Sequence, residues 1–300
     1  MKDMAASVLT RLRNQARETG ASHQECLQLF AQEELLRRLS RSKYASCFVL
    51  KGGLFIYTVT EFATRSTKDI DFLLKGLNSE VENLRRVFEE IISTETENDF
   101  ISFEVYGGEP ITEESEYSGV RLNIRGHIKN VRIPFSIDIG VGDVIVPKAR
   151  ERELPVRLKG FEPVCILTYS MESTIAEKFE AILRRMEATS RMKDFYDLYT
   201  LSGIYDFDGS TLREAVWQTF QNRGTIYERD TMQRIAAFAE NPMMQKLWQN
   251  YRRNSSFEVP DFQVALERID IFLTPVFNAL LSENEFTSEW SHESLSWICP

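Results

Sequence analysis

Asp69 and Asp71 are separated by a single apolar residue, Ile70, and run into Phe72-Leu73-Leu74. On a strand, residues i and i+2 point to the same side, so this spacing presents both carboxylates together and Ile70 on the other face. Two carboxylates that close repel unless a cation lies between them. A hard divalent ion such as Mg²⁺ (or Mn²⁺) suits them, because it prefers oxygen ligands and keeps substrate phosphates as partners. Upstream stands Lys51-Gly52-Gly53, closing the short apolar run Phe48-Val49-Leu50 and opening a helix expected from Leu54 to about Phe62. Glycines there let backbone N–H groups approach a phosphate at a helix N-terminus. A nucleotide and metal site accounts for this order of parts. The plainer alternative is a strand-turn-helix beside a surface acid pair. An Asp-x-Asp alone is common, but a Gly-Gly turn, one helix and then Asp-x-Asp is an ordered architecture, and it favours the site.

Three further positions carry candidate chemistry. Asp138 lies on the polar side of an alternating run, Ile133 to Ile139. It is either a third carboxylate serving the acceptor or a second metal ion, or a half-exposed surface acid. Lys178 sits at the edge of the apolar stripe Ile175, Phe179, Ile182 and Met186. It reads either as a point charge for a triphosphate or as a core-edge lysine paired with Glu177 or Glu180. Asp194 and Asp197, spaced i, i+3, share a helix face. Asp194 could orient Lys178, act as a base, or be an acid favoured by the helix dipole; Asp197 stays open. Arg121, Arg125, His127 and Lys129 alternate along one strand, with Arg184, Arg185 and Arg191 further on. They are either phosphate contacts for a nucleic acid or a solvated face.

The elements that must position these residues follow from pattern. Half-buried strands are expected at residues 101–106, 120–129 and 133–139, a short strand at Leu154–Leu158, and a last apolar run at Pro163–Thr168. Capping residues are expected at Asp3, Ser22, Ser79 and Thr211, and Arg37, Arg38, Arg41 and Lys43 read as a solvated helix end. After Ser170 the pattern turns helical, so a mixed α/β domain (1–168) should be followed by an all-α domain (169–300), with the active cleft completed by the second. The 300 residues, 43% hydrophobic and 27% charged, describe an ordinary globular chain. The net charge of −9 argues against a protein that coats nucleic acid over its whole surface. A local groove remains open, since residues 121–159 hold nine Lys/Arg against four Asp/Glu. No apolar run reaches the roughly 20 residues needed to span a bilayer, and residues 1–20 lack a signal-peptide core. The four scattered cysteines (Cys26, Cys47, Cys165, Cys299) read as reduced, so a cytoplasmic protein without membrane contact is expected.

The string Lys51-Gly52-Gly53, then Arg65-Ser66-Thr67-Lys68-Asp69-Ile70-Asp71-Phe72, resembles the AbiEii/AbiGii toxin-type branch of the polymerase-β-like nucleotidyltransferases, which includes the MenT toxins. Glu177-Lys178-Phe179-Glu180-Ala181 resembles that branch's lysine motif, and Arg191 to Tyr199 its closing aspartate motif. The resemblance covers roughly Phe48 to Tyr199. Gly53 departs from it where many members carry Ser, which removes one hydroxyl ligand for phosphate. Gly53 and Asp69 also stand sixteen positions apart, a longer interval than in compact members. The resemblance implies Asp69, Asp71, Lys178 and Asp194 as catalytic, and Lys51, Gly52, Gly53, Arg65 and Thr67 as nucleotide-binding. It implies Asp69, Asp71 and Asp138 as metal ligands, and an NTP and Mg²⁺ or Mn²⁺ as substrate and cofactor. It also implies an RNA acceptor, the tRNA 3′ end, and a separately encoded antitoxin partner. Transfer to a small hydroxyl compound or a protein, and a non-catalytic binding module on the same fold, are the rival readings.

Overall fold

The computed structural model describes residues 3–111 and 119–299. Its centre is a seven-stranded mixed sheet of order β3-β4-β5-β2-β1-β7-β6. The strands are β1 (Phe48–Lys51), β2 (Asp69–Leu74), β3 (Ile101–Ile111), β4 (Gly119–Ile128), β5 (Val131–Gly140), β6 (Arg150–Leu154) and β7 (Val164–Thr168). β2, the middle strand, runs antiparallel to β1 and parallel to β5. Five helices belong to the same part of the chain or begin the next: α1 (Met4–Thr19), α2 (His23–Arg41), α3 (Gly52–Val59), α4 (Val81–Ile92) and α5 (Met171–Arg185). The chain divides into two compact units, Met1–Asp143 with Ala149–Tyr169, and Val144–Lys148 with Ser170–Pro300.

In the first unit one sheet face is core. Ile70, Phe72, Leu122, Ile124, Ile137 and Ile139 are buried. α4 lays Phe88 against this face, its ring centroid 5.1 Å from that of Phe48. α2 comes so close that a Cβ on Gly126 would stand 3.5 Å from Ala31. β3 is longer than its alternation indicates, with a register shift between Val105 and Gly107 that carries it on to Ile111. β6 lies at Arg150–Leu154, four residues before the expected strand, since its partner β7 pairs Leu154 with Val164.

α2 is buried along almost its whole length, which corrects the reading of its basic end. Arg37 is 2% exposed. It donates to Glu33 Oε1 at 2.8 Å, to the carbonyl of Glu162 at 2.6 Å, and to Glu34. Arg38 donates to the Ile101 carbonyl at 2.7 Å and lies over the Phe103 ring. Both arginines therefore tie α2 to loops and to the sheet edge, and burial pushes the Glu34 carboxyl above its usual range.

The second unit is mainly helical: α5, then α6 (Met192–Ser202), α7 (Gly209–Asn222), α8 (Thr231–Ala236), α9 (Pro242–Asn254) and α10 (Phe262–Leu281). A small sheet of β8 (Phe207–Asp208), β9 (Glu289–Ser291) and β10 (Ser296–Ile298) is added to it, seating Trp290 in the interior. Caps form at Asp3 and Ser22 as their spacing predicts. At α7 the cap is Asp208, whose carboxylate accepts from Thr211 N at 2.8 Å; at α4 no side chain caps, and Asn78 rather than Ser79 accepts the Glu80 N–H. No helix among the described residues is long and apolar enough to cross a membrane.

Candidate active site

The alternation of β2 puts Ile70 in the core and leaves Asp69 and Asp71 half-buried on the opposite face. The loop before them is held from behind: Gln32 of α2 donates to the Lys68 carbonyl at 3.0 Å, and Gln28 donates to the same oxygen. These two glutamines fix where the strand begins, and nothing in the spacing of α2 marks them for that task.

Register then builds a rung of charge across five strands. Lys51 lies opposite Asp71, Asp71 beside Asp138, Asp138 opposite Arg121, and Arg121 opposite Glu109. Side chains at matched positions share a face, so the rung reads plus, minus, minus, plus, minus. The two adjacent carboxylates sit on the central strand and its parallel neighbour. Asp138 has both oxygens on Arg121, at 2.7 Å to Nε and 2.6 Å to Nη2. This bidentate bond, with Asp69 adding to it, raises the guanidinium well above its usual range.

The glycine turn lies against the same carboxylates. Gly52 has φ +66°, and a Cβ there would fall 2.1 Å from Asp71 Oδ2. Gly53 N–H donates to that oxygen at 3.3 Å. An N–H of the first turn of α3 is thus turned toward Asp71, which orients the carboxylate. A Cβ on Gly53 would meet Thr67 at 3.0 Å and Arg65 Nη1 at 3.4 Å, so Arg65, Thr67 and the turn are gathered at one place. Lys51 Nζ bonds Asp143 Oδ2 at 2.6 Å and stands 5.0 Å from the centre of the Tyr169 ring. Its charge is therefore shared with an acid 92 residues away, a partner with no sequence signal. α3 ends at Val59, short of the expected Phe62, because Glu61 and Phe62 adopt positive φ.

The basic side of β4 is paired with acids, two of its bases sharing one carboxylate. Besides Arg121, Arg125 bonds Glu104 at 2.6 Å, His127 lies 3.1 Å from the same carboxylate, and Lys129 pairs with Asp3. The run that reads as open cations is engaged by acids, on β3 and β5 for Arg121, Arg125 and His127 and at Asp3 for Lys129.

In the second unit, Ser170 caps α5 and sets the phase of its residues. Lys178, 10% exposed at its side chain, reaches Asp194 at 3.0 Å and Asp197 at 2.5 Å on α6. Arg191 adds a contact to the other Asp194 oxygen at 2.8 Å. Glu180 is spent on structure, bonding Arg184, Arg223 and Thr225. Burial is the largest influence on Asp194 and pushes its carboxyl up, but Lys178 and Arg191 together outweigh it and hold the group below its usual range. With Lys178 on one oxygen and Arg191 on the other, this geometry suits Asp194 to positioning Lys178.

The family profile described as "Nucleotidyl transferase AbiEii toxin, Type IV TA system" matches residues 34–268. The chain belongs to this family. It is accordingly a toxin-type nucleotidyltransferase, an enzyme class whose substrate is an NTP. Among solved structures it is similar to MenT4, a nucleotidyltransferase toxin from Mycobacterium tuberculosis, at 17% identity and TM-score 0.55, covering 90% of this chain and 98% of that one. It also matches JHP933 from Helicobacter pylori at 16% identity and TM-score 0.47, covering 87% and 95%. No curated protein sequence matches the chain. The MenT4 likeness shows that the mixed sheet with its following helices is the fold of such a toxin.

Two predictions follow from the geometry. Gly52→Ala combines an L-residue at positive φ with a Cβ driven into Asp71, and should cost about 2 kcal/mol or more in chemical denaturation. Asp194 has a folded pKa below its unfolded value of about 3.9, so its contribution to stability is complete above roughly pH 4 and fades as pH falls through the folded value. The stability gap between wild type and Asp194→Asn should therefore hold steady from about pH 8 to 5 and narrow below about pH 4 in urea melts.

Proposed function

We propose that the chain moves an NMP from an NTP onto an acceptor hydroxyl of RNA, at the tRNA 3′ end, with a divalent cation, and that it is the toxin countered by a separately encoded antitoxin. One observation carries the transfer chemistry: Asp69 and Asp71 share a face of the central strand, and Asp71 touches the glycine turn that opens α3. Membership of the AbiEii family supports the toxin and antitoxin part, and the motif resemblance supports RNA.

The donor set fits Mg²⁺ or Mn²⁺, which is held by one or two carboxylates together with substrate phosphates. Asp69 and Asp71 would hold it. Among the described residues no group of three or more His, Cys, Asp or Glu side chains is gathered for a metal, and the third expected ligand, Asp138, is bonded at both oxygens by Arg121. Such an ion, when bound, supplies Lewis-acid charge against the triphosphate. The chain's own groups do the rest. Gly53 N–H, near the positive end of α3, holds Asp71 in orientation. Arg65 and Thr67, packed on Gly53, offer donors to phosphate oxygens, which replaces the hydroxyl that a serine at position 53 would bring. Lys51, paired with Asp143, fixes the turn. The acceptor hydroxyl attacks the α-phosphorus in line, the bond to the β-phosphate bridging oxygen breaks, and pyrophosphate leaves. Lys178, which the motif resemblance implies as catalytic, is held by Asp194 at 3.0 Å and Asp197 at 2.5 Å.

Purified protein incubated with total RNA, Mg²⁺ and each α-labelled NTP in turn tests this. We expect label in RNA of tRNA size with a preferred NTP, and its loss in Asp69→Asn/Asp71→Asn and in Lys178→Met. Label that appears only on a small hydroxyl compound contradicts the RNA acceptor, and no transfer to any acceptor contradicts the reading as a whole.

A further inference from the structure

Asp138 stands at the same register as Asp71 on the parallel neighbour strand, and neighbouring strands lie about 4.8 Å apart. Carboxylates so placed could bridge a pair of divalent ions, which two-metal sites hold about 3.5–4 Å apart. The structure puts something else there. Arg121, directly across from Asp138 on β4, closes a planar fork on it, Nε to Oδ1 at 2.7 Å and Nη2 to Oδ2 at 2.6 Å. A guanidinium stays charged at every working pH and matches a carboxylate at two points. Asp69 adds its field to the same arginine, so the fixed positive charge serves both flanks of the acid cluster. The pair is partly open to solvent, with side chains 41% and 21% exposed. Its weight falls on the charge count of the site.

We infer that Arg121 is a built-in cation standing in for a second metal ion at Asp138, so that the metal-free protein takes up one divalent cation, on Asp69 and Asp71. This rests on the nucleotidyl-transfer reading for the identity of the site, and it makes Arg121 a positioning and charge-setting residue. Two functions are served by one side chain. The acid cluster is balanced before any ion arrives, and Asp138 is withheld from metal. Lysine in this place would keep the charge and lose the fork.

Titration of metal-free protein with Mn²⁺ alone, with free Mn²⁺ read by electron paramagnetic resonance, tests the inference without reference to activity. Wild type should bind one Mn²⁺ per chain and Asp71→Asn none. Arg121→Gln should bind a second, and Arg121→Gln/Asp138→Asn should return to one. Arg121→Lys, with circular dichroism to confirm folding, should remain at one. Two ions on the wild type, or one unchanged ion on Arg121→Gln, overturns the role of Arg121 and leaves the transfer reading standing. One Mn²⁺ with the expected shift in Arg121→Gln but no nucleotidyl transfer sinks the transfer reading alone. A wild type that binds no Mn²⁺ overturns the one-ion inference and leaves the transfer reading to the labelling experiment.

Discussion

Two carboxylates at one register on adjacent strands are the constraint around which this molecule is arranged. At about 5 Å, like charges repel by roughly 3 kcal/mol at the screening typical of a protein surface. Asp71 and Asp138 occupy that geometry, and neighbouring features act to offset it. A glycine with positive φ makes room for one carboxylate, the N–H that follows it donates to that carboxylate, and an arginine fork engages the other. Lys51 closes the end of the rung while bonded to Asp143. A strand pair carrying this much charge is stable because its reverse face is continuous core, with Ile70, Phe72, Ile137 and Ile139 buried beneath it.

The helical unit meets the same problem with a different solution. Lys178, Asp194 and Asp197 form a buried group, to which the partly exposed Arg191 adds a second cation. Removing one member of such a set typically costs about 3–5 kcal/mol, because a charge is left without its partner. The acid pair of β2 is instead half-buried and lies beside a turn built of glycine. The two groups differ in exposure, Lys178, Asp194 and Asp197 being nearly closed to solvent.

Much of this was legible in the residues. Period-two alternation put Asp69 and Asp71 on one face, and the double glycine marked the turn beside them. What stayed hidden was pairing across distance. The cations of β4 and the turn after it read as a basic face because Asp138, Glu104 and Asp3, which pair with them, lie 17 to 126 residues away in the chain. Arg37 and Arg38 read as a solvated helix end, since periodicity does not reveal that backbone carbonyls of two other segments converge on them. Gln28 and Gln32 set the start of β2 through a single carbonyl oxygen, a contact that no motif announces. The family profile, over residues 34–268, takes in the glycine turn and acid pair of the first unit and the lysine and aspartate segments of the second.

The central claim is that the acid pair of β2 is a site for a divalent cation. Thermal unfolding with and without Mg²⁺, on wild type and on Asp69→Asn/Asp71→Asn, tests it most directly. An ion that binds only the folded state at about a hundredfold excess over its dissociation constant adds about 2.7 kcal/mol, which raises the melting temperature of a chain this size by several degrees. The account predicts that rise for wild type and its absence in the double variant. An equal rise in both, or none in wild type, would contradict it.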